Sequence, residues 1–371
     1  MNTSTANSTV VATLKSKRPV KAPLWRKIMD CIVKYGLPLC VSIGLIVWLF
    51  HKVDFHEVKQ AVKDGCDYWW IVLMMIITTL SHMIRGIRWG IQLRAAGVKR
   101  MPVIAESVSI FGAYSLNLVF PRLGEVWRCI YVARRQKCPI STVVGTDMGD
   151  RGSDLVVVIA LMVLALIVAH PAMESFLTHY AIGRDIDHIV DDPWIWCGLA
   201  FIIFGTWAVC HFFRKNRYIG EFDLDLSRIW QGFKVLFHMK GIGWYIVLTL
   251  GIWTCYFLET YVCFFAFPFT RRLIEEPGLA FGLIPGLVVF VFGSFSMAVP
   301  SNGGLGPWNL AVMFALSLYG VSDAQGTAFS LVMWGSQAAM LVLLGIFSAG
   351  YVVYDNRRHH IGNTLTAASQ A

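Results

Sequence analysis

Apolar runs near the ~20 residues a helix needs to cross a bilayer recur at about 35–51, 68–85, 153–170, 194–213, 242–267 and 325–354. Two further apolar segments, 103–138 and 280–320, are broken by proline and glycine. In lipid every backbone polar group must be satisfied internally, so only helices or closed barrels span. Broken backbone at that depth must be buried in protein or line a wet cavity. These constraints predict an all-α polytopic membrane protein with about six full transmembrane helices and two broken re-entrant hairpins. Composition agrees. The chain is 56% hydrophobic and only 15% charged, against roughly 25% charged for a soluble domain.

The formal charge of +9 does not indicate nucleic acid, because the basic residues cluster in short stretches beside apolar runs. The positive-inside rule turns those clusters into a topology. Lys15, Lys17, Arg18, Lys21, Arg26 and Lys27 place a basic, disordered N-terminal tail (1–34) in the cytoplasm, where it can touch anionic headgroups. It has no apolar core before its basic residues and is not expected to be a signal peptide. Arg85, Arg88, Arg94, Lys99 and Arg100 follow the second run, and Arg122, Arg128, Arg134, Arg135 and Lys137 flank the far side of 103–120. Both flanks read as inside, which a hairpin satisfies and a full crossing does not. Residues 170–193 are acidic and read as outside. Residues 214–241 are basic, include an amphipathic LSRIWQGFKVLF stretch and read as inside, as does the C-terminal tail 355–371. The segment 280–320 must then enter from outside, its uncertain flank carrying Arg271 and Arg272 against Glu275 and Glu276.

Residues 35–170 and 194–354 thus each read as two spans, a hairpin and a span, starting from opposite faces. That is an inverted repeat, a common plan among secondary transporters. GAYSLNLVFPRLGEVW (112–127) and GSFSMAVPSNGGLGPW (293–308) echo each other. Each runs Gly-x-aromatic-Ser, then apolar residues, then Pro and Gly, then Trp, with the prolines offset by two positions. The alternative is the ordinary frequency of Gly, Ser and Pro in membrane helices.

Pro121, Gly124 and Pro300 are read as the hairpin breaks, and Gly303, Gly304 and Gly306 as backbone able to approach a ligand. Helix ends there favour anions. Glu125 and Arg128 are i,i+3 neighbours, an arrangement that leaves Arg122 free, and arginine's planar fork suits phosphate. Headgroup anchoring is the other reading of these arginines. In TDMGDRGSDLVVV, Asp147, Asp150 and Asp154 share one helical face. An intramembrane carboxylate faces the protein interior and is paired, with Arg122, Arg128 and Arg151 as candidate partners. A structural ion-pair lock and a substrate path both fit. His82, Arg85 and Trp89 read mainly as an inner-interface anchor. Glu259, mid-span, reads as a proton-coupling carboxylate or an ordinary buried pair. The nine cysteines lack metal-ligand spacing and read as inert buried thiols; no cofactor is expected.

Three stretches carry a family resemblance over roughly 35–354. NLVFPRLGEVWR, with Asn117, Pro121, Arg122, Gly124, Glu125 and Arg128, is similar to an N…P-x-R-x-GE-x-x-R element; here the arginine directly follows the proline. DRGSDL, with Asp150, Arg151 and Asp154, is similar to ER-x-x-DL. VPSNGGLGPWN, with Pro300 and Gly303–Gly306, is similar to P-x-x-GGLG-x-x-E, with Asn309 where glutamate is frequent. The chain so resembles the membrane region of the lysylphosphatidylglycerol synthases, a flippase-like family. The resemblance implies a bacterial inner membrane location and movement of an aminoacylated or anionic phospholipid, or a lipid-linked phosphate, between leaflets. Substrate contact is assigned to Asn117, Arg122, Glu125, Arg128, Asp150, Arg151, Asp154, Glu259, Gly303, Gly304 and Gly306. Only a short tail follows residue 354, so aminoacyl transfer is not expected, and Asn309 leaves no acid/base group at its position. Two rivals remain. One is a metal-dependent lipid phosphotransferase using Asp147, Asp150 and Asp154, although the DG-x-x-AR run of the phosphatidyl-alcohol transferases is missing. The other is a scaffold for an envelope or lipid-synthesis enzyme.

Overall fold

The computed structural model describes residues 43, 44, 47, 55–63, 65–120, 122–179, 239–299 and 301–368. Most of the expected span 35–51, the span 194–213, the tail 1–34, Pro121, Pro300 and most of the expected loops 170–193 and 214–241 lie outside them. The described chain is helical: α1 (Phe55–Lys63), α2 (Tyr68–Ala95), α3 (Val103–Val119), α4 (Leu123–Gln136), α5 (Ile140–His179), α6 (Ile242–Cys263), α7 (Pro268–Glu275), α8 (Leu283–Ser296), α9 (Pro307–Ser317) and α10 (Asp323–Ala368). Among the described residues four stretches are long and apolar enough to cross a membrane, at Tyr68–Ala95, Ile140–Pro171, Ile242–Ala266 and Asp323–Arg357. They contain the expected spans at 68–85, 153–170, most of 242–267, and 325–354.

Local chemistry sets the helix ends. Asp67 caps α2 by accepting from the Trp69 N–H at 3.1 Å, one of the orphan donors of a helix start. Gly97, at φ 85°, ends it in the left-handed conformation glycine adopts without penalty. Pro307 opens α9, where its missing N–H costs nothing. Arg271 and Arg272 donate to the carbonyls of Phe265 (2.6 Å) and Gly320 (2.8 Å), so these two cations are taken up by backbone carbonyls.

Polarity is distributed inside out. Arg88 and Asp150 are 0% exposed, whereas Ile167 is 68% and Ile346 66% exposed. No soluble fold tolerates that exchange: apolar side chains belong against lipid, and charges within such helices belong against partners. The aliphatic flanks of α5 and α10 form the outer surface, while aromatic and aliphatic residues such as Phe264, Phe267 and Phe329 fill a central cluster.

Both interrupted segments fold as pairs of short packed helices, α3 with α4 and α8 with α9. In each pair a glycine accepts a tryptophan. A Cβ on Gly293 would stand 2.7 Å from Trp308 Nε1, and one on Gly112 would strike the Trp127 ring. Packing then crosses between the halves: α2 lies against α6, α3 against α10, and α8 against α5. One expectation changes. Residues 86–95 are not an inner loop but the last turns of α2, because Arg85 and Arg88 are buried (3% and 0% exposed) and held by carboxylates. Of the five cations assigned to that loop, only Lys99 and Arg100 lie beyond the helix.

Close approach of α4 to α3 demands glycine at 124. A Cβ there would stand 2.6 Å from the Ala113 carbonyl carbon and 2.8 Å from its Cα, backbone atoms that cannot move aside. Gly124→Ala is therefore expected to cost about 1–3 kcal/mol, as overpacking does, and to lower the melting temperature in detergent. Gly145→Ala in α5 meets nothing within 4 Å and should leave stability unchanged or raise it by up to about 1 kcal/mol.

Candidate functional site

Three helices contribute charge to one buried cluster. From α2, Arg85 Nη1 lies 2.8 Å from Asp154 and 3.6 Å from Asp150, while Arg88 reaches Asp150 at 2.7 Å and Asp154 at 2.8 Å. From α4, Arg128 pairs with Asp147 and lies 3.9 Å from Asp150. Three guanidinium groups thus face three carboxylates, and the cluster is neutral. Arg85 and Arg88 sit three apart on α2, and Asp150 and Asp154 four apart on α5, so each helix presents both groups on one face.

Aromatic groups wall the cluster. The Arg128 guanidinium carbon lies 4.5 Å from the centre of the Trp89 ring, and that of Arg88 5.3 Å from Tyr245, distances of cation–π attraction. Arg85 donates to the Tyr256 hydroxyl at 3.1 Å, and Arg88 to Thr249 at 3.3 Å. Tyr245 accepts from Gln92 at 2.9 Å and shares a 2.6 Å hydrogen bond with Ser153. The cluster therefore binds α2, α4, α5 and α6 together.

Above it lies the turn joining α3 to α4. Asn117 clips this turn: its Oδ1 accepts from the Gly124 N–H at 2.8 Å and its Nδ2 donates to Glu125 at 3.0 Å. Glu125 also pairs with Arg151, not with Arg128 as the i,i+3 spacing predicts. The geometry explains why: Arg128 is drawn inward to Asp147 and is 1% exposed. The Arg151 side chain is 42% and that of Glu125 21% exposed. Arg122 is exposed, has φ 63°, and has no hydrogen-bond or ion-pair partner among the described residues.

The turn joining α8 to α9 meets this tip. Asn302 Nδ2 donates to the Val119 carbonyl at 3.2 Å, and a Cβ on Gly303 would stand 2.8 Å from a Leu118 methyl. Gly303, Gly304 and Gly306 all have positive φ (58°, 82° and 93°), which few other residues tolerate. Trp334 of α10 donates to the Gly303 carbonyl at 2.8 Å. Asn309 is fully buried, accepts from the Gly306 N–H at 3.1 Å and donates to Ser330 at 3.3 Å. It is a structural clip here.

Sequence-predicted residues therefore fall into three groups. Asp150, Asp154 and Arg128 join the buried cluster. Asn117, Arg122, Glu125, Arg151 and the glycines gather at the tips. Glu259 stands apart, between α2, α6 and α10, hydrogen-bonded to Ser81 at 3.1 Å and accepting from Gln337 at 3.0 Å. Arg85 is a cluster member, not an interface anchor, and Arg88, read from the sequence as an inner-loop cation, is another. One signal for both was available: several carboxylates entering the membrane require as many cations.

Breaking such a buried pair from one side is costly, about 3–5 kcal/mol, because the remaining charge is uncompensated. Arg128→Leu should accordingly lower thermal stability strongly in detergent. Adding Asp147→Asn should restore most of the loss; independent, additive losses would show that the two do not interact.

The chain matches the lysylphosphatidylglycerol synthase TM region over residues 37–345. No curated protein and no solved structure matches it. The span of that match, together with its inside-out helical architecture, makes this multi-pass membrane chain a member of the lysylphosphatidylglycerol synthase transmembrane-region family.

Proposed function

We propose that the protein is a lipid flippase that moves an anionic or aminoacylated phospholipid, or a lipid-linked phosphate, between leaflets without covalent chemistry. The observation that carries this reading is the meeting of the two tips, Val119 with Asn302, beside the exposed and unpartnered Arg122. Arg122 receives the phosphate, and the positive-φ backbone at Gly303–Gly306 forms the opposite wall.

Magnitudes divide the charged residues by role. The Glu125–Arg151 pair is partly exposed (21% and 42%), so it opens at lower cost than a fully buried pair and its members can exchange partners with a passing headgroup. A buried pair costs about 3–5 kcal/mol to break. The cluster of Arg85, Arg88, Arg128, Asp147, Asp150 and Asp154 is thus the fixed frame against which the tips work. The same pairing of the three aspartates with arginines disfavours their use as ligands in a metal-dependent phosphotransferase.

In this reading the hairpins are re-entrant, point in opposite directions and belong to an inverted repeat in a bacterial inner membrane, with both termini cytoplasmic. Support comes from the matched Gly112–Trp127 and Gly293–Trp308 contacts, from helices too short to span, and from the exchange of packing partners between halves. Family membership supports the lipid substrate.

Arg122→Ala and Arg122→Gln are expected to slow translocation of a fluorescent anionic phospholipid in proteoliposomes by about tenfold or more, matching the roughly 1.5–3 kcal/mol of a hydrogen bond to a charged group. Melting temperature should not change, since Arg122 holds no partner among the described residues. Wild-type rates in both variants would overturn the assignment.

A further inference from the structure

Glu259 is 5% exposed, and no cation lies within 4 Å of its carboxyl among the described residues. Every other described buried carboxylate of the candidate site is met by arginine. Its hydrogen-bonding neighbours are neutral: Ser81 of α2 lies 3.1 Å from Oε1 and Gln337 of α10 lies 3.0 Å from Oε2, and the nearby Thr78 hydroxyl donates to the Met74 carbonyl at 3.0 Å. A bare carboxylate at such a position is expensive.

The hydrogen-bond count goes further. Ser81 carries one hydroxyl proton, yet its oxygen lies 2.7 Å from the Thr78 carbonyl as well as 3.1 Å from Glu259. The carbonyl can only accept. If Glu259 is ionised, Ser81 must choose between two acceptors and one contact goes unmade. If Glu259 carries a proton, Oε1–H donates to Ser81 Oγ, Ser81 donates to Thr78, and Gln337 donates to Oε2. All three contacts are then made at once.

We propose that Glu259 is a proton-binding site, occupied in the arrangement described here, and that its proton is the coupling ion of the transport cycle. This second clause rests on the flippase reading above; the first does not. The step is the gain or loss of one proton at Oε1, with the Ser81 hydroxyl rotating between Glu259 and Thr78. Its effect reaches both parts of the site. Gln337 lies three residues from Trp334, which holds the Gly303 carbonyl, and Ser81 lies four residues from Arg85, which holds Asp154. The titratable groups that interact with it are Cys255, Tyr256 and Cys263 on α6; one contact further out, Arg85 of α2 donates to Tyr256 and His82, next to Ser81 on α2, lies against Tyr114 of α3. Arg85, the nearest fixed cation among them, is committed to Asp154 and Tyr256.

Infrared difference spectroscopy of the purified full-length protein tests the site without any lipid assay. A protonated-carboxyl carbonyl band is expected at neutral pH in wild type, absent in Glu259→Gln and shifted in Ser81→Ala, where the proton loses its acceptor. Should Glu259→Gln fail to fold, the Ser81→Ala shift still identifies the band. No band, or one unmoved by both variants, overturns the proton site. In proteoliposomes, an imposed pH gradient should accelerate translocation of the fluorescent phospholipid by wild type and not by Glu259→Gln. The band without gradient sensitivity removes the coupling role and leaves the site. Translocation without band or gradient response leaves the flippase reading and removes this one. A band with no translocation in any protein overturns the flippase reading alone.

Discussion

Charge in a medium of low dielectric must be neutralised where it sits, and the centre of this molecule follows from that requirement. Asp147, Asp150 and Asp154 project from a helix whose continuation is among the most apolar in the chain. Left alone, each would cost several kcal/mol. Arg85, Arg88 and Arg128 come from two other helices to meet them. Because guanidinium groups bind carboxylates in a planar, directional way, satisfying the charges also fixes how α2, α4 and α5 stand to one another. The aromatic rings around the cluster exclude lipid and add cation–π attraction.

On that frame the two interrupted segments can be held at close range. Gly124 lets α4 lie against the α3 backbone, and Asn117 supplies the turn with one acceptor and one donor that a regular helix would have found within itself. At the opposite tip the turn is made by Gly303, Gly304 and Gly306, with Asn309 clipping Gly306 and Trp334 clipping Gly303. The tips are thus clipped where they are attached and meet through Asn302 on the Val119 carbonyl and Gly303 against Leu118. That combination suits a headgroup path, with an exposed arginine beside a weak, exchangeable pair and a strong frame behind it.

Part of this site could be read from residues alone. The D-x-x-D-x-x-x-D spacing placed three carboxylates on one helical face, and proline with glycine placed the breaks. Their partners could not be read. Glu125 has an arginine three residues away, and local spacing favours that pair; instead it takes Arg151, 26 residues on, because Arg128 is claimed by Asp147. A worth of a few tenths of a kcal/mol for a helical i,i+3 pair yields to the much larger demand of a buried carboxylate. Arg85 and Arg88 were counted as loop cations for the same reason: a sequence displays charge without displaying burial.

The sequence by itself determined that this chain is a bundle of apolar helices in a membrane, where most of them run, and that two segments cannot run straight. Those conclusions rest on backbone hydrogen bonding and transfer from water, which depend on composition along a single stretch. Only the tertiary structure decided which arginine meets which aspartate, that the two tips touch at Val119 and Asn302, and that Glu259 faces a serine and a glutamine but, among the described residues, no cation. Those are contacts between residues as many as 183 positions apart, and no local propensity encodes them.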